Sequence, residues 1–586
     1  MSNTRKIIGL IGLVLALFMG ALDATIVNIA LPNIMKDLNA NLTDTSWVAT
    51  IYVLVMAVFI ITVSKLADIY GRKLVMLIGV LIFGIFSFAC MTADSLTLLI
   101  IYRFFQGIGG AILTPIVLPM GIELFGKKNI SRVAAIMGAF SALAAASGPV
   151  IGGLIIHLTT YHWIFGINIP IAILAFFLIL FGTNESYDLS VSKSIDWFGI
   201  IFLTFALAGI TFGLLEGREY GWTSQIIISS FCIGIVGFVL LILVERKVNS
   251  PIIELNLFKE RTFTASSIIY MIFGFAILLP SLILNYFLQN VRSYSALHAA
   301  YLIVPTSLAI GIGMPLATKM YQKISAKLLI GIGLVITSGG AFMLSLIQYE
   351  TSESVIICCN IVTGIGLGFM AMALTSSVKY LPVNKAGIGS GIVNASRYIG
   401  QALGMALLVT MLNTNLNTAN SQIKETAYEQ IDSHVLSTSV KKVAHKEIKK
   451  IFNTSSKGPN TSTKQKEMIS QITKAAQKTD NLPKPKENSD FRKLYNASVL
   501  LNQGTDKISV SIPQLTTSLS KISKGQNQSS VGIQLLAQKE ELTQTLSAIV
   551  KSKNHELSKA FNKVFKVVSF IILACTPLAL YTEKRS

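Results

Sequence analysis

Apolar runs of about 20 residues recur along most of this 586-residue chain, from Ile7 to about Leu412, and one last run covers residues 564–580. A helix of that length crosses the ~30 Å hydrocarbon core of a membrane. The runs lack the alternation of polar and apolar residues that a spanning barrel would show. Since 52% of the residues are hydrophobic and only 13% are charged, a water-soluble globular protein and disorder along the whole length are both excluded. The sequence predicts an all-α polytopic membrane protein.

The boundaries of the runs predict fourteen spans. They lie near residues 7–31, 45–64, 74–93, 97–124, 132–157, 162–182, 197–215, 224–244, 263–288, 296–318, 327–348, 354–378, 387–412 and 564–582. The first run follows Arg5 and Lys6, but it is too long for a signal peptide and lacks a small-residue cleavage site, so we interpret it as a retained span. A polar insert, residues 413–562, separates the last two spans.

Lysine and arginine residues in the short loops predict the orientation of the spans, because such loops are enriched in them on the cytoplasmic side. The loops that follow even-numbered spans carry most of these residues, for example Lys65, Arg72 and Lys73 after span 2. Both termini are then cytoplasmic, and the insert is extracellular. The insert is too long for this charge rule to apply to it.

Charge and cysteine positions exclude several classes of function. The insert holds 22 Lys and Arg against 12 Asp and Glu, so half of the chain's net charge of +20 lies there, and the basic charge does not indicate nucleic-acid binding. All five cysteines lie in apolar runs, which excludes a disulfide framework and a zinc site. The sequence has no Walker-type loop for ATP and no pattern that indicates enzymatic catalysis. We expect no metal and no cofactor.

Asp23, in span 1, is the clearest candidate for chemistry inside the membrane. Ionisable residues there are unfavourable unless they face protein or water, so the few that are present are functional candidates. Burial disfavours a charged carboxylate, which suits Asp23 to binding and releasing protons; a structural carboxylate bonded to a neighbouring span is the alternative. Arg103, in span 4, stays charged at every accessible pH, but it can exchange partners with a carboxylate.

The loop after span 2, residues 64–73, is a candidate latch between helical bundles. Asp68 can accept hydrogen bonds from helix amides or from an arginine, and Gly71 permits a tight turn. Arg72 completes the string. Taken singly, these charges would only anchor the orientation of the spans.

Span 5 contains a candidate hinge made of Gly148, Pro149, Gly152 and Gly153. Proline removes a backbone donor and bends a helix, and glycine permits close packing. In a transporter such a bend is a hinge, whereas in a passive bundle it is a packing kink.

Four segments together resemble motifs of the major facilitator superfamily, in particular its fourteen-span drug:proton antiporters of the EmrB/QacA-like type. Residues 22–32 are similar to LDxTIVNxALP, residues 64–73 to GxLADxxGRK, residues 99–111 to LxxxRxxQGxGxA, and residues 148–153 to GPxxGG. The resemblance covers nearly everything outside the insert. It implies two six-helix bundles plus two extra spans, which work by alternating access around a midplane cavity.

That fold sets the expected domains. They are an N-terminal bundle over residues 1–195, two linker spans over 196–262, five spans of the C-terminal bundle over 263–412, an extracellular helical insert over 413–562, and the last span with a cytoplasmic tail over 563–586.

The resemblance also implies roles for single residues. Asp23 would be the proton-coupling or cation-recognising acid, and Arg103 would be linked to proton translocation. Asp68 and Arg72 would belong to the conformational latch, and residues 148–153 would form the antiporter hinge. Some relatives carry further acids in spans 10 and 13, which this chain lacks, so specificity for dicationic drugs is not implied.

Four further residues are candidates for lining the substrate cavity. They are Asn28, Gln106, Tyr286 and Arg397. Arg397, in span 13, can pair with an acid or with a substrate anion.

The position of the insert predicts a helical hairpin. Its 150 residues connect adjacent spans, so the chain must leave the membrane and return to it at nearly the same point. Apolar residues at spacings of 3 and 4 are typical of an amphipathic arm in its second half, at Ile508, Ile512, Leu515, Leu519, Ile522, Ile533 and Leu536. The candidate partner arm carries Ile423, Ile431, Val435, Val443 and Ile451. A largely disordered segment is the alternative, chiefly at the tip near residues 458–485. A basic arm outside the cell is suited to touching anionic envelope polymers or lipid head groups, or to capping the exit of the substrate path.

We expect a monomer that exports an amphipathic, often cationic compound across the cytoplasmic membrane, driven by the proton gradient. One alternative is an exporter of an envelope lipid or peptide, with the insert aiding release. Another is a membrane sensor or scaffold that does not transport. Asp23 and Arg103 argue against a scaffold, which has no need of charges inside the membrane.

Overall fold

The computed structural model describes residues 2–126, 130–187, 196–217, 219–248, 251, 253, 255–321, 323–379, 381, 386–454, 482–511 and 516–583. All regular elements within these ranges are helices. The membrane part of the chain consists of α1 (Asn3–Asp37), α2 (Leu42–Tyr70), α3 (Arg72–Met91), α4 (Leu96–Phe125), α5 (Ile130–Leu158), α6 (Trp163–Gly182), α7 (Trp197–Glu216), α8 (Gln225–Glu245), α9 (Arg261–Val291), α10 (Ala296–Met320), α11 (Ala326–Leu344), α12 (Glu353–Ser377) and α13 (Ala386–Ser433). The remaining α-helices are α14 (Thr438–Thr454), α15 (Asp490–Ser511) and α16 (Thr516–Ala574), and a 3-10 turn over Thr576–Tyr581 follows. The last part of α16 is a further candidate span.

The helices of the described residues confirm a polytopic all-α fold with about fourteen spans. Thirteen of them are long and apolar enough to cross a membrane. α5 is a further helix of 29 residues, with a described apolar part over Ser147–Leu158. Large apolar side chains lie exposed on the outer faces of these helices, as expected where the surroundings are lipid rather than water, for example Ile85, Phe88 and Phe181.

The chain divides into two compact units, Met1–Asn415 with Ala560–Ser586, and Leu416–Lys559. Within the first unit, α1 packs against α5 and α6, while α2 and α3 pack against α4. The linker helices α7 and α8 pack on each other through glycines: a Cβ atom at Gly209 would lie 2.7 Å from the backbone nitrogen of Gly234.

Span 9 differs from the regular helix that its apolar run predicts. Its α-helical part, Arg261–Ala276, gives way to two π-helical segments, Leu279–Leu284 and Phe287–Val291. Pro280 lies at the start of the first segment and supplies no backbone donor, which favours a change in the hydrogen-bond register. π-helical segments occur frequently at functional sites.

The insert has a hydrophobic core of its own, and the sequence predicted that core only in part. Its buried residues are Ala427, Ile431, Leu436, Val440, Ala444, Ile448 and Leu542. Burial of Ile423 and Ile431 confirms the first predicted arm. Val435 is exposed and Leu436 is buried instead, because the chain between α13 and α14 is not helical and the apolar register shifts there.

The second predicted arm of the insert is helical as expected, in α15 and α16, but the burial of its predicted apolar face is wrong where the structure describes it. Ile522 and Leu536 are exposed, because α14 packs against residues farther along α16, such as Leu542 and Leu546. The side chains of Ile451, Ile508, Ile512, Leu515 and Leu519, and the chain over 458–481, lie outside the described residues.

Candidate functional site

Asp23 and Arg103 form a buried ion pair between α1 and α4. Arg103 Nη1 lies 2.5 Å from Asp23 Oδ2, and both side chains are almost completely buried. Asp23 Oδ1 accepts further hydrogen bonds from Gln106 Nε2 at 3.1 Å and from Asn168 Nδ2 at 3.0 Å. Three donors therefore surround one carboxylate, and their charge and hydrogen bonds offset the unfavourable burial of the pair.

The guanidinium of Arg103 has three further partners that hold it in place. Its Nε donates a hydrogen bond to the Val48 carbonyl of α2 at 3.0 Å, and its Nη1 also donates to Gln106 Oε1 at 2.7 Å. Arg103 and Gln106 are three residues apart, so α4 presents both on one face. The guanidinium carbon lies 4.1 Å from the centre of the Tyr52 ring, within the range of a cation–π interaction.

Gln106 extends this network to α3, where its Nε2 donates a hydrogen bond to Ser87 Oγ at 2.8 Å. We call Asp23, Ser87, Arg103, Gln106 and Asn168 the Asp23 cluster. It joins α1, α3, α4 and α6, and all five side chains are buried. The sequence analysis identified Asp23, Arg103 and Gln106 but missed Ser87 and Asn168. The available signal was a polar residue inside an apolar run, which by itself does not distinguish a site from a local hydrogen bond.

The predicted hinge residues of α5 pack directly on α1 beside the Asp23 cluster. A Cβ atom at Gly148 would lie 3.1 Å from the backbone nitrogen of Ile26, and one at Gly152 would lie 2.8 Å from Ile26 Cγ1. Pro149, which lies between the two glycines in the sequence, is also buried. The expected close packing is confirmed, and it occurs three residues after Asp23.

Gly153 contacts the other half of the protein. A Cβ atom there would lie 2.8 Å from Leu297 Cα and 2.9 Å from the carbonyl oxygen of Ala296, at the start of α10. α5 therefore packs against α1 through Gly148 and Gly152 and against α10 through Gly153. Bending of α5 during transport stays a prediction.

The loop over residues 64–73 forms an ionic cluster around Arg72. Gly71 has φ +114°, a conformation that favours glycine, and it ends α2 and precedes α3. Asp68 Oδ1 accepts a hydrogen bond from Arg72 Nε at 2.8 Å, and Arg72 Nη1 lies 2.5 Å from Glu123 Oε1 of α4. These contacts connect α2 and α3 to α4.

Glu185 fixes the start of α3 from the segment after α6. Its carboxylate accepts hydrogen bonds from the backbone amides of Lys73 at 2.8 Å and Leu74 at 3.0 Å, as an acid at a helix N-terminus does. All of these loop contacts lie within the N-terminal bundle. A role for Asp68, Gly71 and Arg72 in latching one bundle to the other stays a prediction.

The two bundles meet through polar contacts at the end of the membrane helices opposite to that loop. Asn285 Nδ2 donates a hydrogen bond to the Asn28 carbonyl at 2.8 Å, and Gln289 Nε2 donates to the Ile29 carbonyl at 2.9 Å. Asn33 Nδ2 donates to Gln289 Oε1 at 3.1 Å. The π-helical part of α9 thus joins the second half of α1, and the structure places Asn28 in this bundle interface.

The other two candidate cavity residues lie in the C-terminal bundle. Tyr286 stacks on Phe561 with ring centres 6.0 Å apart, and its hydroxyl lies 3.8 Å from Met35 Sδ, so it belongs to the bundle interface. Arg397 of α13 contacts Tyr398, with its guanidinium carbon 4.6 Å from the ring centre. Tyr398 belongs to the same buried cluster as Tyr52, which is the residue under Arg103.

A bundle of about fourteen spans, with an ion pair buried in one half and a polar interface between the halves, defines a multi-pass membrane transporter. The sequence profile of the Major Facilitator Superfamily matches residues 13–405, and the chain belongs to that family. The family consists of transporters, so the protein is not an enzyme.

The similar proteins include several drug transporters. "Multidrug resistance protein Stp" of Mycobacterium tuberculosis (strain CDC 1551 / Oshkosh) is 32% identical over 442 residues, which cover 74% of this chain and 81% of Stp. "Multidrug transporter protein MdtP" of Bacillus subtilis (strain 168) is 30% identical over 69% of this chain and 75% of its own length. The "Tetracenomycin C resistance and export protein" of Streptomyces glaucescens is 25% identical over 68% of this chain and 74% of its own length. A crystal structure of a POT family transporter has the same fold, with a TM-score of 0.55 and 16% identity over 69% of this chain and 91% of that one.

Proposed function

We propose that the protein exports amphipathic, often cationic compounds across the cytoplasmic membrane in exchange for protons. The observation that carries this proposal is the buried ion pair of Asp23 and Arg103. Protonation of Asp23 removes the charge with which Arg103 pairs, whereas Arg103 keeps its own charge. The two protonation states of Asp23 therefore favour different arrangements of α1 and α4.

The packing of α5 supports coupling between this pair and the movement of the bundles. Gly148 and Gly152 contact Ile26, one turn after Asp23, and Gly153 contacts Leu297 of the C-terminal bundle. A shift of α1 upon protonation would displace α5 and, through it, α10. The hydrogen bonds between α1 and α9 would break as that end of the protein opens.

The relatives support the direction and the cargo of transport. Stp, MdtP and the tetracenomycin C exporter are named for drug resistance, drug transport or export. We extend drug efflux to this chain, which acts as a monomer in the lipid bilayer. Both termini are cytoplasmic in this proposal. The basic insert is extracellular, where it can touch envelope polymers or lipid head groups. The proton gradient is its energy source. Export of an envelope lipid or peptide remains the second candidate cargo.

The proposal is tested by efflux of ethidium, a cationic dye, from proteoliposomes under an imposed pH gradient. Asp23→Asn keeps the size of the side chain but removes its charge, so we expect gradient-driven efflux to be lost. Asp37→Asn is the matched control, because Asp37 lies on the same helix but is exposed; its efflux should equal that of the native protein.

Three results would contradict parts of this proposal. Efflux by the native protein that does not depend on the pH gradient would exclude proton coupling. Unimpaired efflux by Asp23→Asn would remove Asp23 from the mechanism. Absence of ethidium transport by the native protein would favour an envelope cargo instead.

A further inference from the structure

Arg397 is a second arginine inside the membrane, and it differs from Arg103 in its partners. It lies about 16 Å along α13 from the first residue of that helix, Ala386, which is near the middle of a span. Its Nε is buried and makes no hydrogen bond to the described residues. A buried charge at that depth is strongly unfavourable unless another charge compensates it.

The neighbours of Arg397 are neutral. Its guanidinium carbon lies 4.6 Å from the ring centre of Tyr398, and the phenol of Tyr270 is close enough to interact with its charge. No carboxylate forms an ion pair with it in the part of the chain that the structure describes.

The C-terminal bundle contains almost no acidic residue that could pair with Arg397. From residue 261 to residue 424 the sequence contains only Glu350 and Glu353. Glu353 is at the start of α12, where it pairs with His298 at 2.9 Å. Asp23, in the other bundle, is already paired with Arg103. Among the described residues, a carboxylate therefore compensates Arg103, whereas Arg397 lies beside neutral phenol rings.

The position of Arg397 connects it to the bundle contact rather than to lipid. Tyr398, whose ring lies against the guanidinium of Arg397, belongs to the same buried cluster as Tyr52, whose ring lies against Arg103. The stem of Arg397 is fixed by α9, since a Cβ atom at Gly274 would lie 3.1 Å from Arg397 Cγ. A fixed guanidinium loses little conformational freedom upon binding an anion.

We propose that Arg397, together with the phenol groups of Tyr270 and Tyr398, binds a carboxylate or similar anionic oxygen group of the exported compound. The substrates then include amphipathic molecules that carry an acidic group, besides purely cationic ones. This inference rests on the proposed export of amphipathic compounds and specifies their chemistry. A guanidinium pairs with a carboxylate through two parallel charge-assisted hydrogen bonds, and the phenols add donors to the same oxygen atoms.

The test compares two dyes that share one ring system. Rhodamine 110 has a free carboxylate, and in rhodamine 123 that carboxylate is a methyl ester. Equilibrium binding of each dye to the purified full-length protein in lipid nanodiscs is measured by fluorescence anisotropy. We expect the native protein to bind rhodamine 110 more tightly than rhodamine 123. Arg397→Gln should lower the affinity for rhodamine 110 by about tenfold or more and leave the affinity for rhodamine 123 unchanged.

Two further variants separate binding from folding. Arg397→Lys keeps the charge but loses the planar fork, so it should retain part of the preference for rhodamine 110. Arg292→Gln is the matched control: Arg292 is also largely buried, but it donates to the carbonyls of Gln348 and Thr351, and neither dye affinity should change.

An equal loss of affinity for both dyes in Arg397→Gln would overturn the proposal, because it would show that Arg397 only stabilises the packing of α13 against its neighbours. A native protein without preference for rhodamine 110 would overturn it as well. If Arg397→Gln does not fold, the comparison of Arg397→Lys with the native protein decides. Binding is measured without a proton gradient, so a failure of proton coupling would leave this result intact.

Discussion

At the scale of single residues, a buried ion pair and two glycines determine how the membrane helices around α1 pack. Asp23 and Arg103 are tolerable in the interior because each compensates the other. Gly148 and Gly152 let α5 approach α1 in the adjacent turn. Any movement of α1 that follows protonation of Asp23 must therefore displace α5, because no gap separates the two helices there.

Gly148→Ala should lower the stability of the protein and impair transport. The added methyl group would overlap the Thr25 side chain, and overpacking of this kind costs about 1–3 kcal/mol. Thermal unfolding and ethidium efflux measure the two effects. Gly311→Ala, in α10, is the matched control: nothing lies within 4 Å of the new atom, so it should be neutral or slightly stabilising. Equal unfolding temperatures of the two variants would contradict the close packing described for Gly148.

At the scale of helices, the sequence predicted the spans well because lipid requires a continuous apolar stretch of fixed length. It identified Asp23 and Arg103 as candidate residues because charges stand out in apolar runs, but it did not predict that the two pair with each other. It did not predict where α13 ends or where α16 begins, since both helices extend beyond their apolar runs into polar sequence, which hydropathy cannot follow. The π-helical part of α9 and the partners Ser87 and Asn168 depend on tertiary packing, which one sequence does not show.

Glu583 connects the end of the chain to the start of α11 and to the segment after α12, and this contact should depend on pH. Burial alone would raise the pKa of Glu583, but its hydrogen bond and charge interaction with Lys379 and its bond from the Ala326 amide lower it below the usual value. A lowered pKa means that the stabilisation is present above the unfolded-state pKa of about 4.3 and is lost as pH falls through the folded-state value.

The measurement is the unfolding temperature of the native protein and of Glu583→Gln between pH 3 and pH 7. The difference between them should be largest at neutral pH and should shrink as the medium becomes acidic. A difference that stays constant over this range would show that the carboxylate charge of Glu583 does not contribute.

At the scale of the whole molecule, the chain consists of a membrane unit and an insert, each with its own buried residues. All four tryptophans, Trp47, Trp163, Trp197 and Trp222, belong to the membrane unit. Tryptophan fluorescence therefore reports unfolding of that unit alone.

Deletion of residues 420–555 should leave the tryptophan-detected unfolding temperature unchanged, because the apolar residues of the insert cover one another. Val440→Asp in the full-length protein is the control: it places a charge in the core of the insert and should unfold that unit only. A clear decrease of the tryptophan-detected unfolding temperature in either variant would show that the stability of the membrane unit depends on the insert. Ethidium efflux by the deletion variant then tests the suggestion that the insert caps the exit path: unchanged efflux would exclude that role.

The central claim, exchange of substrate for protons through Asp23, is tested most directly by recording the protons themselves. Proteoliposomes are loaded with ethidium and the pH indicator pyranine, and the membrane potential is clamped with potassium and valinomycin. We predict that outward movement of ethidium acidifies the lumen with native protein and not with Asp23→Asn. Ethidium leaving without acidification, or equal acidification by Asp23→Asn, would contradict the account.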